Sequence, residues 1–116
     1  MSTVPFRLVR HHYPDGRANH LDLFLKPPQL DCLPTFEFPS DLAESIPGEH
    51  GRLRVVPPQT SGKIWRGARK SDHRTLYWTF SGPIDGDRGM VTELARGNLS
   101  GDWDRAELFL VVETEP

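Results

Sequence analysis

Two side chains spaced for joint work stand in the run His20-Leu21-Asp22-Leu23-Phe24-Leu25. In an extended strand successive side chains alternate faces, so Leu21, Leu23 and Leu25 point one way while His20, Asp22 and Phe24 share the other. Two residues along a strand separate the pair by roughly 6.6 Å, close enough for an imidazole and a carboxylate to converge on one ion. A neutral imidazole and an ionised carboxylate suit manganese, iron or zinc. His11 or His12, beyond the turn signal Pro14-Asp15-Gly16, offers a third ligand. An isolated His-x-Asp pair is more often a hydrogen-bonded couple on a solvated sheet face; the extra histidines shift the reading toward a metal. The single cysteine, Cys32, supplies too few thiolates for a structural zinc cluster.

A second polar stripe runs through Asp72-His73-Arg74-Thr75-Leu76-Tyr77-Trp78-Thr79-Phe80. Its alternation predicts a strand over 76–80, with Leu76, Trp78 and Phe80 on an apolar face and His73, Thr75, Tyr77 and Thr79 opposite. His73 and Tyr77 then present a proton donor or acceptor and a phenolic hydroxyl to an anion beside the metal. Arg66, Arg69, Lys70, Arg74 and Arg88 are candidates for charge-assisted hydrogen bonds to phosphate, although most such residues on any protein are solvated. Trp65, Trp78 and Trp103 are read as core or edge packing, with no nucleic-acid role.

The elements that position these groups are short strands. A length of 116 residues fits one domain. Eleven prolines and ten glycines interrupt any long helix. Strand patterns occur at 5–10, 21–25, 35–38, 53–56, 76–80, 90–94 and 108–113, and turn signals fall at Pro14-Asp15-Gly16, Pro47-Gly48, Pro57-Pro58, Ser61-Gly62 and residues 85–89. The expected fold is mostly β, a sandwich or barrel in a compact single domain with short helical turns. One such turn is expected at 41–45, with Asp41 as its cap and Glu44 reciprocating. The net charge of −2 confines any nucleic-acid contact to a patch. With no apolar run near the roughly 20 residues of a membrane helix, no secretory signal pattern and one cysteine, a soluble cytoplasmic protein is expected.

Several weak motifs in a fixed order resemble a known family, the 3′-phosphoesterase domain of bacterial DNA ligase D with its short stand-alone relatives. Arg10-His11 followed by Pro14, then the strand from His20 to Leu25, resembles the family's histidine, loop and His-aromatic-Asp strand, with Leu21 in the aromatic place. Residues 33–39 resemble the next strand, a Leu-x-x-aromatic-x-x-Pro pattern. Asp72-His73-Arg74 with Tyr77, Phe80-Ser81-Gly82-Pro83 and the glycine-rich stretch from Gly86 to Val91 resemble the Asp-His segment, the aromatic-x-Gly-Pro turn and the glycine-rich hairpin.

The resemblance covers about residues 7–99. It implies a compact β-barrel and a manganese-dependent hydrolase that removes a 3′-phosphate or a 3′-ribonucleotide from nucleic-acid ends in repair, beside a ligase or another repair partner. Carried over, His11, His20 and Asp22 are the metal ligands, with His12 competing for the first place. His73 and Tyr77 face the scissile phosphate, and Arg69, Arg74 and Arg88 are the phosphate-binding candidates. Phe24 stands where the ligase-linked domain has an arginine, Lys26 where it has a glutamate, Ser40 where it has a lysine, and Ser71 where it has an acid. Two other readings remain. One is a DNA-end or partner-binding module of the same fold with weakened catalysis; the other is a non-haem iron enzyme using His20, Asp22 and His73 as a facial triad.

Overall fold

The computed structural model describes residues 2–13, 20–46, 50–84 and 89–113. The turn signals at Pro14-Asp15-Gly16 and Pro47-Gly48, and residues 85–88 of the glycine-rich segment with Arg88 among them, lie outside the described residues. Among the described residues eight strands form one sheet: β1 (Thr3–His12), β2 (His20–Leu25), β3 (Cys32–Phe38), β4 (Gly51–Val55), β5 (Trp65–Arg74), β6 (Gly82–Pro83), β7 (Met90–Ser100) and β8 (Glu107–Val112). No described helix is long and apolar enough to cross a membrane.

The expectation of a mostly β chain holds. Strand order is β1-β2-β3-β5-β8-β4-β7-β6, and β1 also pairs with β7, so the pairings through β1, β2, β3, β5, β8, β4 and β7 return to their start. Neighbours are antiparallel except β4 and β7, which run parallel. The short β6 adds to β7 through Gly82 and Pro83.

Alternation along the strands builds two apolar clusters. Val4, Phe6 and Leu8 of β1, Leu21, Leu23 and Leu25 of β2, and Phe36 and Phe38 of β3 pack with Leu53, Trp65, Leu99, Leu108 and Leu110 in the main core. The three β2 leucines are wholly buried, as their alternation predicts. Each contributes roughly 1.5–3 kcal/mol by leaving water. The opposite face carries Arg7 and Val9, Phe24, Leu33 and Val91. It is covered by residues 75–84, whose Tyr77, Trp78, Phe80 and Ile84 pack on Val9, Phe24, Leu33 and Val91.

The expected strand over 76–80 is replaced there by a 3-10 helix, Thr75–Trp78, that follows β5. Leu76, expected in an apolar face, is half exposed, while Tyr77 packs on the second cluster. The strand in this region lies earlier, at Trp65–Arg74, where the apolar pattern is too thin to announce it. The helical turn expected at 41–45 forms as a 3-10 helix at Ser40–Ser45, but Pro39 occupies the cap position and no side chain caps it. Asp41 instead sits inside the first turn, where its carboxylate favours the exposed N–H groups.

Arg7 pins the covering segment. It is 1% exposed, and its guanidinium donates to the carbonyls of Tyr77 at 2.8 Å and Phe80 at 2.7 Å, to Ser81 Oγ at 2.7 Å and to Glu93 Oε1 at 2.6 Å. Arg96 donates to the same Glu93 oxygen at 2.7 Å. Partial burial alone would raise the Glu93 pKa, but the hydrogen bonds and charges of Arg7 and Arg96 outweigh it and hold the carboxyl below its ordinary 4.5.

Replacing Arg7 with Met removes a buried charge's donors from two carbonyls, a hydroxyl and a carboxylate, and should lower stability by about 3 kcal/mol or more. Urea unfolding of Arg7→Met against the parent checks this, and a loss under about 1 kcal/mol would reject the tether. Because Glu93 titrates lower when folded, its contribution is fully present above the unfolded value of 4.5. It should be lost as pH falls through the depressed folded value. Unfolding midpoints for Glu93→Gln should therefore be flatter with pH below 4.5 than those of the parent.

Candidate metal centre

β1 and β2 pair in the register His11↔His20 and Val9↔Asp22. Directly opposed residues project to the same side of a sheet, so the two imidazoles stand together and Asp22, two residues on, stays on their face. One ligand atom from each of His11, His20 and Asp22 lies within 4.8 Å of the others. His20 Nε2 is 3.4 Å from Asp22 Oδ1. The His11 and His20 rings meet edge-on at 5.2 Å between centroids, and Tyr13 stacks on His11 at 4.3 Å.

Two imidazoles and a carboxylate form a donor set that fits a divalent manganese, zinc or iron ion. The Asp22 side chain is only 4% exposed, and a carboxylate so buried calls for a cation. Of the two alternatives for the third ligand, His11 belongs to this group. His12 is exposed at the end of β1, one residue on and so on the other face. His73, the third member of the facial triad considered for iron, is not in the group among the described residues.

Across a cavity of about 150 Å³ His73 and Tyr77 face His11 and Asp22, with Val9, Phe24 and Val91 among its lining residues. The two residues do come together as expected, with rings edge-on at 5.4 Å. They do so because the 3-10 helix turns Tyr77 back over the end of β5, not because they share a strand face. Phe24 lies 5.0 Å from the His73 ring and holds the place where the resemblance has an arginine.

Thr35, wholly buried, fixes the His73 ring. Its one hydroxyl proton goes to the Leu33 carbonyl at 2.9 Å, so the 3.0 Å contact with His73 is Nδ1–H donating to Oγ1. The other nitrogen, Nε2, is then an acceptor. Burial, opposed by Asp22 and a Ser71 backbone bond and aided by the Lys70 charge, pulls the His73 pKa below its ordinary 6.5. The shift favours the neutral ring.

Lys70 lies within ion-pair reach of Asp22. Its Nζ donates to Asp22 Oδ1 and Glu37 Oε1, both at 3.1 Å, and lies 3.4 Å from His20 Nε2. Burial alone would lower its pKa; the Asp22 charge and the bonds to Asp22 and Glu37 outweigh that and hold the ammonium above 10.5.

The phosphate-binding candidates are engaged elsewhere or lie apart. Arg69 is paired with Asp72 and Asp104 at 3.3 Å each and stands over the Phe36 and Trp103 rings. Arg66 is paired with Glu107. Arg74 is exposed at the end of β5, opposite Cys32, and Arg88 lies outside the described residues. Arg7, Thr35, Glu37 and the particular role of Lys70 were not legible beforehand. Each depends on which strand lies beside which, although the shared parity of Leu33, Thr35 and Glu37 along β3 is a signal that could have marked Thr35.

Gly89 makes room for the first ligand. Its φ is +107°, and a Cβ there would lie 2.4 Å from the His12 carbonyl oxygen and 3.1 Å from the His11 ring. Gly89→Ala should cost about 1 kcal/mol or more in stability and, by displacing His11, weaken manganese binding about tenfold. Calorimetric titration with manganese checks it, and a Gly89→Ala variant with parental affinity would show that His11 does not depend on this gap. No protein-family model matches the chain, and a comparison with curated proteins finds no match.

Proposed function

We propose that the chain is a metal-dependent phosphoesterase acting on nucleic-acid 3′ ends, a short stand-alone relative of the ligase D 3′-phosphoesterase domain. We read its closed circuit of strand pairings as a β-barrel, and a cytoplasmic repair role beside a ligase or similar partner follows from the same reading. One observation carries the proposal: His11, His20 and Asp22, the three ligands that the resemblance implies, converge on one face of β1 and β2, opposite His73 and Tyr77.

His11, His20 and Asp22 would hold a divalent ion, with manganese the first choice and zinc or iron as alternatives. Such an ion supplies a Lewis acid for a phosphoryl oxygen and lowers the pKa of a bound water. The remaining work falls to the chain. His73, neutral and tied through Nδ1 to Thr35, offers Nε2 as a proton acceptor. The Tyr77 hydroxyl is a donor for an oxygen on which negative charge develops. A cavity of about 150 Å³ is small beside the roughly 300–1,000 Å³ typical of whole-ligand sites, and so suits a terminal group with the rest of the strand outside.

Phe24 favours a second reading within the same fold. An apolar side chain where the resemblance has a guanidinium leaves the cavity floor without a charge for the transition state, which suits a module that binds 3′ ends with weakened turnover. Such binding should be sensitive to salt.

Purified protein with manganese should release inorganic phosphate from a 3′-phosphorylated oligonucleotide, and His20→Ala or Asp22→Asn should reduce the rate by about 100-fold or more. Salt-sensitive binding of the 3′-phosphate end without release, at high enzyme concentration and with manganese shown to be bound, would replace hydrolysis by the binding reading. Release that survives both substitutions would place the activity elsewhere.

A further inference from the structure

The cation of this site does not come from the basic motifs that resemble the family. The β3–β5 register sets Thr35 opposite Lys70, which brings the ammonium to the edge of the ligand group. There its Nζ is shared between Asp22 Oδ1 and Glu37 Oε1, both at 3.1 Å. Asp22 is a proposed ligand and Glu37 is not. An ammonium and a divalent ion therefore draw on the same Asp22 carboxylate, while Glu37 offers the ammonium a second partner on the neighbouring strand. Four other described cations have their charges met elsewhere, Arg7 and Arg96 by Glu93, Arg69 by Asp72 and Asp104, and Arg66 by Glu107, and Arg74 is exposed at the end of β5. Phe24 removes the guanidinium expected on β2, so the site is short of one anion-binding charge, and Lys70 is placed to supply it.

We propose that Lys70 is a two-position cation: it neutralises Asp22 until a divalent ion claims that carboxylate, and then, retained by Glu37, it grips the phosphoryl anion of the substrate. The anion half of this proposal rests on the phosphoesterase reading above; the competition for Asp22 rests on geometry alone. Like charges a few ångströms apart repel, and an anion lying between them removes the repulsion. Lys70 thus opposes metal binding on its own and couples it to phosphate, each making the other bind more tightly.

The test uses the full chain and two ligands, manganese and thymidine 3′-monophosphate. Manganese affinity is measured by calorimetry or by the electron spin resonance of the free ion, with and without the nucleotide. Lys70→Met, which keeps the stem and removes the charge, should bind manganese about tenfold more tightly alone. It should also bind the nucleotide about tenfold less tightly when manganese is present. Lys70→Arg should keep most of the nucleotide affinity, and Lys70→Gln replaces the Met variant if a thermal melt shows that variant to be unfolded. An uncharged variant that matches the parent in either measurement overturns the proposal while leaving the metal site standing. A parent chain that binds no manganese overturns both.

Discussion

A guanidinium taken out of water has to be met by acceptors on every side, and in this chain that requirement organises the outer face of the sheet. Arg7 projects from the middle of β1 into a region that is otherwise apolar. It is tolerated there because Glu93, the Ser81 hydroxyl and the carbonyls of Tyr77 and Phe80 all turn toward it. Those acceptors come from β7 and from the segment between β5 and β6. Meeting them fixes the segment over Val9, Phe24, Leu33 and Val91, and so creates one wall of the cavity. Without that wall the three proposed ligands would lie on an open sheet.

The ligands themselves need much less. His11 and His20 are direct cross-strand partners, and Asp22 follows at the strand period of two. Two adjacent strands in one register are enough to bring the three together. What surrounds them is more distant in sequence: Thr35 and Glu37 from β3, Lys70 and His73 from β5, Tyr77 from the covering segment. The site thus has an inner part set by one strand pair and an outer part set by the order of strands in the sheet. The electrostatics follow the same division, since the charge facing Asp22 and the neutrality of His73 both come from residues of the outer part.

This division also explains what could be read in advance. The alternation of Leu21, Leu23 and Leu25 with His20, Asp22 and Phe24 is a local signal, and it places all six residues correctly. Tyr77 and His73 come together for another reason than alternation offers: a period of two through residues 73–80 suggests a strand, whereas the chain ends its strand at Arg74 and turns. The real strand from Trp65 to Arg74 was hidden because its inward positions after Trp65 are Gly67 and Arg69. A side chain at Gly67 would collide with the Phe38 ring, whose carbons would come within 2.3 Å of its Cβ. Arg69 keeps an inward position by stacking over Phe36 and Trp103. Neither residue looks apolar in a sequence. Lys70 could be seen as a cation but not as the partner of Asp22, because the β3–β5 register belongs to the assembled sheet.

Among the acceptors that hold the covering segment to Arg7, two are main-chain carbonyls, those of Tyr77 and Phe80. Every residue type offers that group, so the anchor is indifferent to which side chains stand at positions 77 and 80. Those two hydrogen bonds therefore survive exchange of the groups that face the cavity, provided that Ser81 and the apolar packing on Val9, Phe24, Leu33 and Val91 are kept, while the strand pair that gathers His11, His20 and Asp22 stays as it is. Architecturally the molecule separates a fixed base from an interchangeable cover, an arrangement in which new specificity is reached by small steps in one short segment and not by rebuilding the sheet.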